Sequence, residues 1–392
     1  MNSALEQLIA HVDGKNPFYT RKLADGFPFF TTKRELIEDQ HTNPPYGSNL
    51  TFPLSRYTRF SQTNGTTGTP LRWLDTPESW DWMCGNWRRV FDAAGVTLGE
   101  HIFFAFSFGP FLGFWVAFEA ASRMGCLAIP GGGMRSSARL RAILDNDVSV
   151  LCCTPTYALR LGESAIEEKI DLSKSKVRRI IVAGEPGGSI KSTQQRIEQL
   201  WPGARVIDHH GMTETGPVSY ACPKRERVLH VIESSYIAEI IDGEGRPADR
   251  GELVLTNLGR IGSPLIRYRT GDIVQRGGSP CECGTHDIAL EGGILARTDD
   301  MVVVRGVNLY PSAIEDVLRG CDGVAEYRVE IRTERSLSEM SIQVEPSNGD
   351  EHLVHRLEAA LRDAFGLRIP VVTAARGSLP RFEMKAQRWI RL

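Results

Sequence analysis

The chain has 392 residues, 41% hydrophobic and 24% charged, with 46 Lys and Arg against 48 Asp and Glu and a formal net charge of -2. That length predicts two or three domains rather than a single core. The balanced charge offers no basic groove for nucleic acid and no polybasic surface for a membrane. Met1-Asn-Ser-Ala-Leu-Glu lacks the basic head and apolar run of a signal peptide. The eight cysteines then read as reduced thiols or metal ligands in a cytoplasmic protein.

Residues 1–60 read as mixed helix and loop with an aromatic patch at Phe27-Pro-Phe-Phe30. Next comes Ser61-Gln-Thr-Asn-Gly-Thr-Thr-Gly-Thr-Pro70. Its run of Thr63, Asn64, Gly65, Thr66, Thr67, Gly68 and Thr69 suits a loop that wraps a polyanion. Glycine lets backbone N–H groups approach closely, and each threonine adds a hydroxyl donor. The Gly-Lys-Ser/Thr of a P-loop is missing. A helical pattern over Glu78–Ala94 puts Trp80, Met83, Trp87, Val90 and Phe91 on one face. Strand and helix patterns then alternate: His101–Phe106, helix Gly113–Met124, Cys126–Pro130, helix Ser137–Asp145, Val148–Cys153, Ile180–Val182, helix Ser189–Leu200 and Arg205–Asp208. The alternation predicts an α/β domain with a largely parallel sheet. Within Ile102–Pro130, Ser107, Gly109, Pro110, Glu119 and Arg123 argue for strand-helix-strand over a membrane span. Short β segments follow from Tyr236, among them Ile237–Ile241, Gly251–Asn257 and Asp272–Arg276. After Arg297-Thr-Asp-Asp300 a smaller α/β unit is predicted. It has strands Met301–Arg305, Val324–Ile331 and Glu339–Val344 and helices Pro311–Leu318 and Glu351–Phe365.

Three further stretches carry residues suited to chemistry. Asp208-His-His-Gly-Met-Thr-Glu-Thr-Gly-Pro217 follows a strand, where α/β sheets bind ligands. There Glu214 offers a hard oxygen to a divalent cation, Thr213 a donor to phosphate and His210 a flat ring to a base. In Leu265-Ile-Arg-Tyr-Arg-Thr-Gly-Asp272, the carboxylate after a glycine turn suits the vicinal hydroxyls of a ribose. In Pro380-Arg-Phe-Glu-Met-Lys-Ala-Gln-Arg388, Lys385 can bring a point charge to a carboxylate and a phosphate. Separately, Cys281-Glu-Cys283, Cys222 and His230 (or His286 in its place) would close a tetrahedral, structural Zn²⁺ site. Reduced cysteines without metal are the alternative. Cys84, Cys126, Cys152 and Cys153 sit in apolar contexts and read as core. Phe104, Phe108, Gly131, Tyr157 and His209 are candidates for a pocket taking an aromatic group, with ordinary core packing as the alternative for each.

Taken in order, these motifs resemble the adenylate-forming (acyl-CoA synthetase) superfamily, in its phenylacetate–CoA ligase-like branch. The resemblance is carried by the Gly/Thr loop, Ala183-Gly-Glu-Pro-Gly-Gly188, Gly211-Met-Thr-Glu214, Tyr268-Arg-Thr-Gly-Asp272, Arg305-Gly-Val-Asn-Leu-Tyr-Pro311 and Lys385, with Cys152-Cys-Thr-Pro-Thr-Tyr-Ala-Leu-Arg-Leu161 beside them. It implies an N-terminal domain over 1–298, with a β-rich subdomain at about 222–298, and a small mobile C-terminal α+β lid over 299–392. It implies that Thr63 to Thr69 hold the ATP phosphates, that Gly184, Glu185 and Pro186 line the adenine side, and that His210, Gly211 and Met212 also belong to the ATP/AMP site. Thr213 and Glu214 would serve phosphate and Mg²⁺, and Asp272 and Arg297 the ribose. Asp299 would be the hinge, Arg305 and Gly306 would line the coenzyme A channel, and Lys385 would bridge acyl carboxylate and α-phosphate.

The implied activity joins a small carboxylic acid, aromatic by its pocket, to coenzyme A through an acyl-adenylate. Alternatives are transfer to an acyl carrier protein or an amine, and a non-catalytic AMP-binding sensor. A homodimer is also implied. The chain departs from the family pattern at Thr69, where relatives carry lysine, and at His210, where a tyrosine faces adenine. It departs too at Ala296 and Met384, each in place of a glycine.

Overall fold

Five short apolar segments form a parallel sheet in the order Leu127–Pro130, His101–Phe104, Val150–Cys153, Arg179–Val182, Arg205–Asp208. The structure is a computed structural model that describes residues 3–63, 70–304, 307–334, 337–347, 350, 352–382 and 386–392. Alternate strand residues point to opposite faces. Phe103, Leu151, Ile180, Val182 and Val206 pack with the helices Ser136–Asp145, Pro155–Glu167 and Lys191–Leu200. Ile102, Phe104, Val150, Cys152, Ile181 and Ile207 pack with the helices Pro77–Ala93 and Leu112–Arg123. Each sheet face is therefore covered, which is why these strands are apolar without alternation. Thr76 and Thr154 cap two of these helices through the amides of Ser79 and Tyr157, each with a proline in the first turn.

The chain leaves His101–Phe104 for one neighbouring strand and returns to the other side at Val150–Cys153. The order of strands thus reverses there, and the crevice beyond their carboxyl ends is where such a sheet binds ligands. Antiparallel sheets follow, one of Ser219–Ala221, Val228–Val231 and Ala289–Glu291, the other of Tyr236–Ile241, Arg250–Asn257, Tyr268–Gln275 and Ala296–Arg297. The C-terminal part is a separate four-stranded sheet, order Val371–Thr373, Leu337–Pro346, Val324–Glu334, Trp389–Arg391, with helices Pro311–Gly320 and Leu353–Phe365. Its core of Ile314, Leu318, Val329, Ile342, Leu357 and Leu361 is its own. The predicted fold class therefore holds: a parallel α/β sheet, a β-rich region and an added C-terminal sheet. The helix Pro155–Glu167 has no counterpart among the predicted elements, because Thr156, Tyr157, Ala158, Leu159, Leu161 and Gly162 are all buried and blur the helical period. Among the described residues no helix is long and apolar enough to cross a membrane.

One buried ion pair ties distant segments together. Arg260 is fully buried, and its Nε and Nη2 donate to Asp75 Oδ1 and Oδ2, both at 2.6 Å. Its Nη1 donates to the carbonyls of Thr213 (2.7 Å) and Glu214 (2.9 Å), and its guanidinium lies 5.1 Å from the Trp73 ring. A second buried polar group, His209, directly follows the strand Arg205–Asp208. Its Nδ1 donates to the Ser219 carbonyl at 2.7 Å, and its ring lies 4.3 Å from Trp87. Burial, only partly opposed by that hydrogen bond, pulls its pKa down to about 3, so the imidazole is neutral in the native state.

Asp75→Asn should destabilise the protein by about 3–5 kcal/mol in urea unfolding, because Arg260 stays buried without its counter-charge. A loss below about 1 kcal/mol would show the pair to be expendable. For His209, the unfolded chain takes up a proton below about pH 6.5 while the native state does not. Its contribution to stability is therefore complete above that pH and declines towards pH 3, by up to about 1.4 kcal/mol per pH unit. Urea midpoints of His209→Gln between pH 7 and pH 4 should fall less steeply than those of the wild type; parallel profiles would refute the assignment.

Candidate active site

The sheet's carboxyl edge gathers most of the residues singled out from the sequence. Asp272 lies in the strand Tyr268–Gln275 and is 3% exposed. Its Oδ2 accepts from His210 Nε2 at 2.9 Å and its Oδ1 from Arg297 Nη1 at 2.8 Å. Burial alone would raise this carboxyl, but the hydrogen bond and charge of His210 and the charge of Arg297 outweigh it and hold the pKa below the usual aspartate range. Each oxygen keeps a second lone pair, so a vicinal diol can still donate to it. Arg297 sits opposite Asp272 across the strand pair and also holds Asp299 through Nε (2.9 Å) and Nη2 (3.1 Å). His210 is thus not a free ring. Its Nε2 is committed to Asp272, its backbone N–H goes to Ser219 Oγ at 3.1 Å, and its buried Nδ1 has no partner among the described residues.

Gly211–Met212 pairs with Gly216–Pro217, and the turn between them carries Thr213 and Glu214. Arg260 fixes the carbonyls of that turn from below. Glu214 is 4% exposed, and its Oε1 is 3.1 Å from Lys33 Nζ. Lys33 opens the helix Lys33–Thr42, whose start is set by a capping box between Thr32 and Glu35. The segment reaches the site because Thr31 bonds Arg267 O and Arg269 N along the same β-rich sheet. Lys33, Asp75 and Arg260 were not singled out from the sequence. No spacing links them to Glu214, and only the folded chain brings them there.

Thr63 closes the base of the hairpin formed by Arg59–Gln62 and Arg72–Asp75. Its N–H donates to Leu71 O at 2.9 Å, and its Oγ1 accepts from Leu71 N at 3.0 Å. The remaining loop residues Asn64, Gly65, Thr66, Thr67, Gly68 and Thr69 lie outside the described residues, as do Arg305, Gly306 and Lys385. Gly184 has φ +94° in the turn after Arg179–Val182, and Glu185 in that turn bonds backbone amides, as described below. Pro186 is exposed in the same turn.

The pocket candidates divide. Phe104 is fully buried in the core against Phe118. Phe108 takes φ +54° and stacks on Phe106 at 4.1 Å, with Trp115 and Phe118 edge-on to it. Gly131 is required by close approach: a Cβ there would lie 2.7 Å from Phe103 and 2.9 Å from Phe104 O. Tyr157 is fully buried, with its hydroxyl 3.1 Å from Ser136 Oγ and Arg139 over its ring. Phe108, Gly131, Tyr157 and His209 each follow the carboxyl end of a strand of the parallel sheet, whereas Phe104 belongs to the core.

Away from this crevice, Cys222, His230, Cys281 and Cys283 place their ligand atoms within 4.8 Å of one another. Cys222 Sγ lies 3.8 Å from Cys281 Sγ, and Cys283 Sγ lies 3.5 Å from His230 Nε2. A tetrahedral ion with metal–sulfur bonds of about 2.3 Å demands sulfurs about 3.8 Å apart. His230 Nδ1 donates to Asp287 O at 3.1 Å, which leaves Nε2 as the ligand. The Arg225 N–H points at Cys222 Sγ (3.3 Å). The cluster uses His230, not His286. Cys84, Cys126, Cys152 and Cys153 are buried, as expected of core thiols.

The sequence profile of the AMP-binding enzyme family matches residues 63–259, and that of the AMP-binding enzyme C-terminal domain matches residues 306–391. The phenylacetate–coenzyme A ligase of Thermus thermophilus is 28% identical, over 97% of this chain and 92% of that protein. The enzyme of the same name from Escherichia coli is 28% identical, over 96% of this chain and 87% of its own length. Among solved structures, 2-hydroxyisobutyryl-CoA ligase in the postadenylation state superposes with a TM-score of 0.94 at 27% identity, covering 99% of this chain and 88% of that one. The same enzyme in the thioesterification state, with 2-HIB-AMP and CoA, gives 0.70 at the same coverage. The two profiles, the reversal-point crevice and the Asp272–Arg297 pair lead to one conclusion: the chain belongs to the AMP-binding, adenylate-forming enzyme family.

Proposed function

We propose that the chain is a cytoplasmic aryl-acid–CoA ligase in which Asp272 and Arg297 hold the ribose, residues 63–69 hold the phosphates and Lys385 serves the reacting carboxylate. The underlying activity is AMP-forming acid–CoA ligation. The carboxylate of the acid attacks the α-phosphorus of ATP, a new P–O bond forms and pyrophosphate leaves. The thiol of coenzyme A then attacks the acyl carbon and AMP leaves. The single observation that carries the site assignment is the buried Asp272 carboxylate, held ionised between His210 and Arg297 at the crevice. The Phe106–Phe108 stack, with Trp115 and Phe118 edge-on to Phe108, and the Trp87–His209 pair support an aromatic acid. All eight cysteines are free, which suits a reducing compartment.

Two anions must meet in the first step, so cations offset their repulsion. Mg²⁺ suits the buried carboxylate of Glu214, already paired with one cation, and would supply charge at the phosphates. Lys33 occupies one oxygen of that carboxylate and must yield or share it. Residues 299–392 are proposed as the moving domain, with Asp299 as its hinge. Zn²⁺ suits the Cys222, His230, Cys281 and Cys283 cluster on distance, and with four protein ligands its role would be structural.

Pyrophosphate release should depend on an acid when ATP and Mg²⁺ are supplied with a panel of aryl, arylacetic and small hydroxy acids. Release should become sustained turnover on adding CoA, and not on adding phosphopantetheinylated carrier protein or amine. Preference for a small hydroxy acid over every aryl acid would overturn the aromatic assignment. Lys385→Ala should slow adenylation at least about 100-fold while ATP affinity changes less than about threefold; an unchanged adenylation rate removes Lys385 from the chemistry. Metal analysis should find one zinc per chain. Cys281→Ser should lose it and lower Tm by more than about 5 °C, whereas Cys84→Ser should keep it. A metal-free wild type indifferent to chelators rules out the zinc site.

A further inference from the structure

Glu185 lies in the turn that follows the strand Arg179–Val182. Its Oε1 accepts from the backbone N–H of Thr156 at 2.8 Å, and its Oε2 accepts from the backbone N–H of Ala386 at 3.0 Å. Thr156 is in the first turn of the helix Pro155–Glu167. Amides there lack intrahelical acceptors, and the helix dipole favours negative charge. One oxygen therefore anchors Glu185 to the large domain, and the other reaches across to the C-terminal segment. Ala386 directly follows Lys385 in the chain.

Neighbouring contacts converge on the same spot. Arg388 Nη1 donates to Thr156 Oγ1 at 3.4 Å. The arginine is itself held by Glu326, through Nε to Oε1 at 2.6 Å and Nη2 to Oε2 at 3.2 Å. The backbone and side chain of Thr156 thus both take part in seating residues 386–388. Further along the boundary, Ser192 Oγ donates to Asp316 Oδ1 at 2.8 Å.

We propose that Glu185 is a positioning residue for Lys385 in the adenylation step. Its carboxylate fixes the backbone next to the lysine, and charge-assisted bonds of this kind are directional and strong. The contact belongs to one arrangement of the two domains. The chain superposes far better on the postadenylation state than on the thioesterification state, with TM-scores of 0.94 and 0.70. A turn of the C-terminal domain must break a bond made across the boundary from a fixed Thr156–Glu185 unit. Glu185 accordingly acts in the first half-reaction and not in the second. Each of its oxygens accepts from one amide, and a role in contacting adenine would show instead as a raised KM for ATP. The inference rests on the reading of Lys385 as the adenylating lysine.

The test compares wild type, Glu185→Ala and Glu185→Gln in two half-reactions: acid-dependent pyrophosphate release, and CoA thioester formation from supplied acyl-adenylate. The alanine variant should adenylate about 30-fold more slowly, with KM for ATP changed less than about threefold and a loss in transfer at least ten times smaller. The glutamine variant keeps one acceptor oxygen and should fall between. Equal losses in both half-reactions, or a raised KM for ATP with kcat preserved, would overturn the proposal. If the alanine variant fails to fold by circular dichroism, the glutamine variant decides by the same split. A wild type that makes no adenylate from any acid would overturn the underlying reading instead.

Discussion

The buried Asp75–Arg260 pair is the constraint on which the candidate site depends. Asp75 ends the strand Arg72–Asp75, which pairs with Arg59–Gln62. Arg260 spends its remaining donor on the carbonyls of Thr213 and Glu214. One guanidinium therefore joins the strand Arg72–Asp75 to the turn that carries Thr213 and Glu214. A charge pair in this position is a costly way to gain stability, since desolvation offsets most of the Coulombic attraction. Its advantage is geometric: five donors in a rigid fork can register a carboxylate and two carbonyls at once.

Around this anchor the site is built from groups whose charge state burial would otherwise reverse. Asp272 stays ionised because Arg297 and His210 oppose desolvation. His209, one residue from His210, has no such partner and stays neutral against Trp87. Adjacent imidazoles thus take different duties, one fixing the carboxylate proposed for the ribose and the other lining apolar surface.

The boundary between the two parts of the chain follows a different logic. Among the described residues no apolar core cluster spans it. Among the described residues, Arg388 donates across it to Thr156, the Ala386 N–H to Glu185, Ser192 to Asp316 and Ser312 to Leu295 O, beside the packing of helix Lys191–Leu200 on helix Pro311–Gly320. On the C-terminal side, Glu315 is pushed up by burial, while Glu326 is held low because Arg388 and Arg319 outweigh its desolvation. A boundary held largely by hydrogen bonds costs less to break than a shared apolar core, which is compatible with the domain movement proposed above.

Much of this was legible in the sequence, and the reason is local. Strand-helix alternation announced the parallel sheet because each strand is covered on both faces and stays apolar throughout. Short motifs pointed to Asp272, Glu214 and His210 because their residue types fall within a few positions, whereas the cysteine cluster joined the close pair Cys281 and Cys283 to Cys222, 59 positions from Cys281, on residue type alone. Lys33, Asp75 and Arg260 could not be read that way. Arg260 meets Asp75 across 185 positions, and neither residue carries a local signature. The sequence by itself determined the family, the fold class and the residue types available for adenylation. Only the tertiary structure decided that His210 serves Asp272, that Lys33 faces Glu214 and that Glu185 holds Ala386. Ion pairs and charge-assisted bonds depend on distance and burial, and those exist only once the chain has folded.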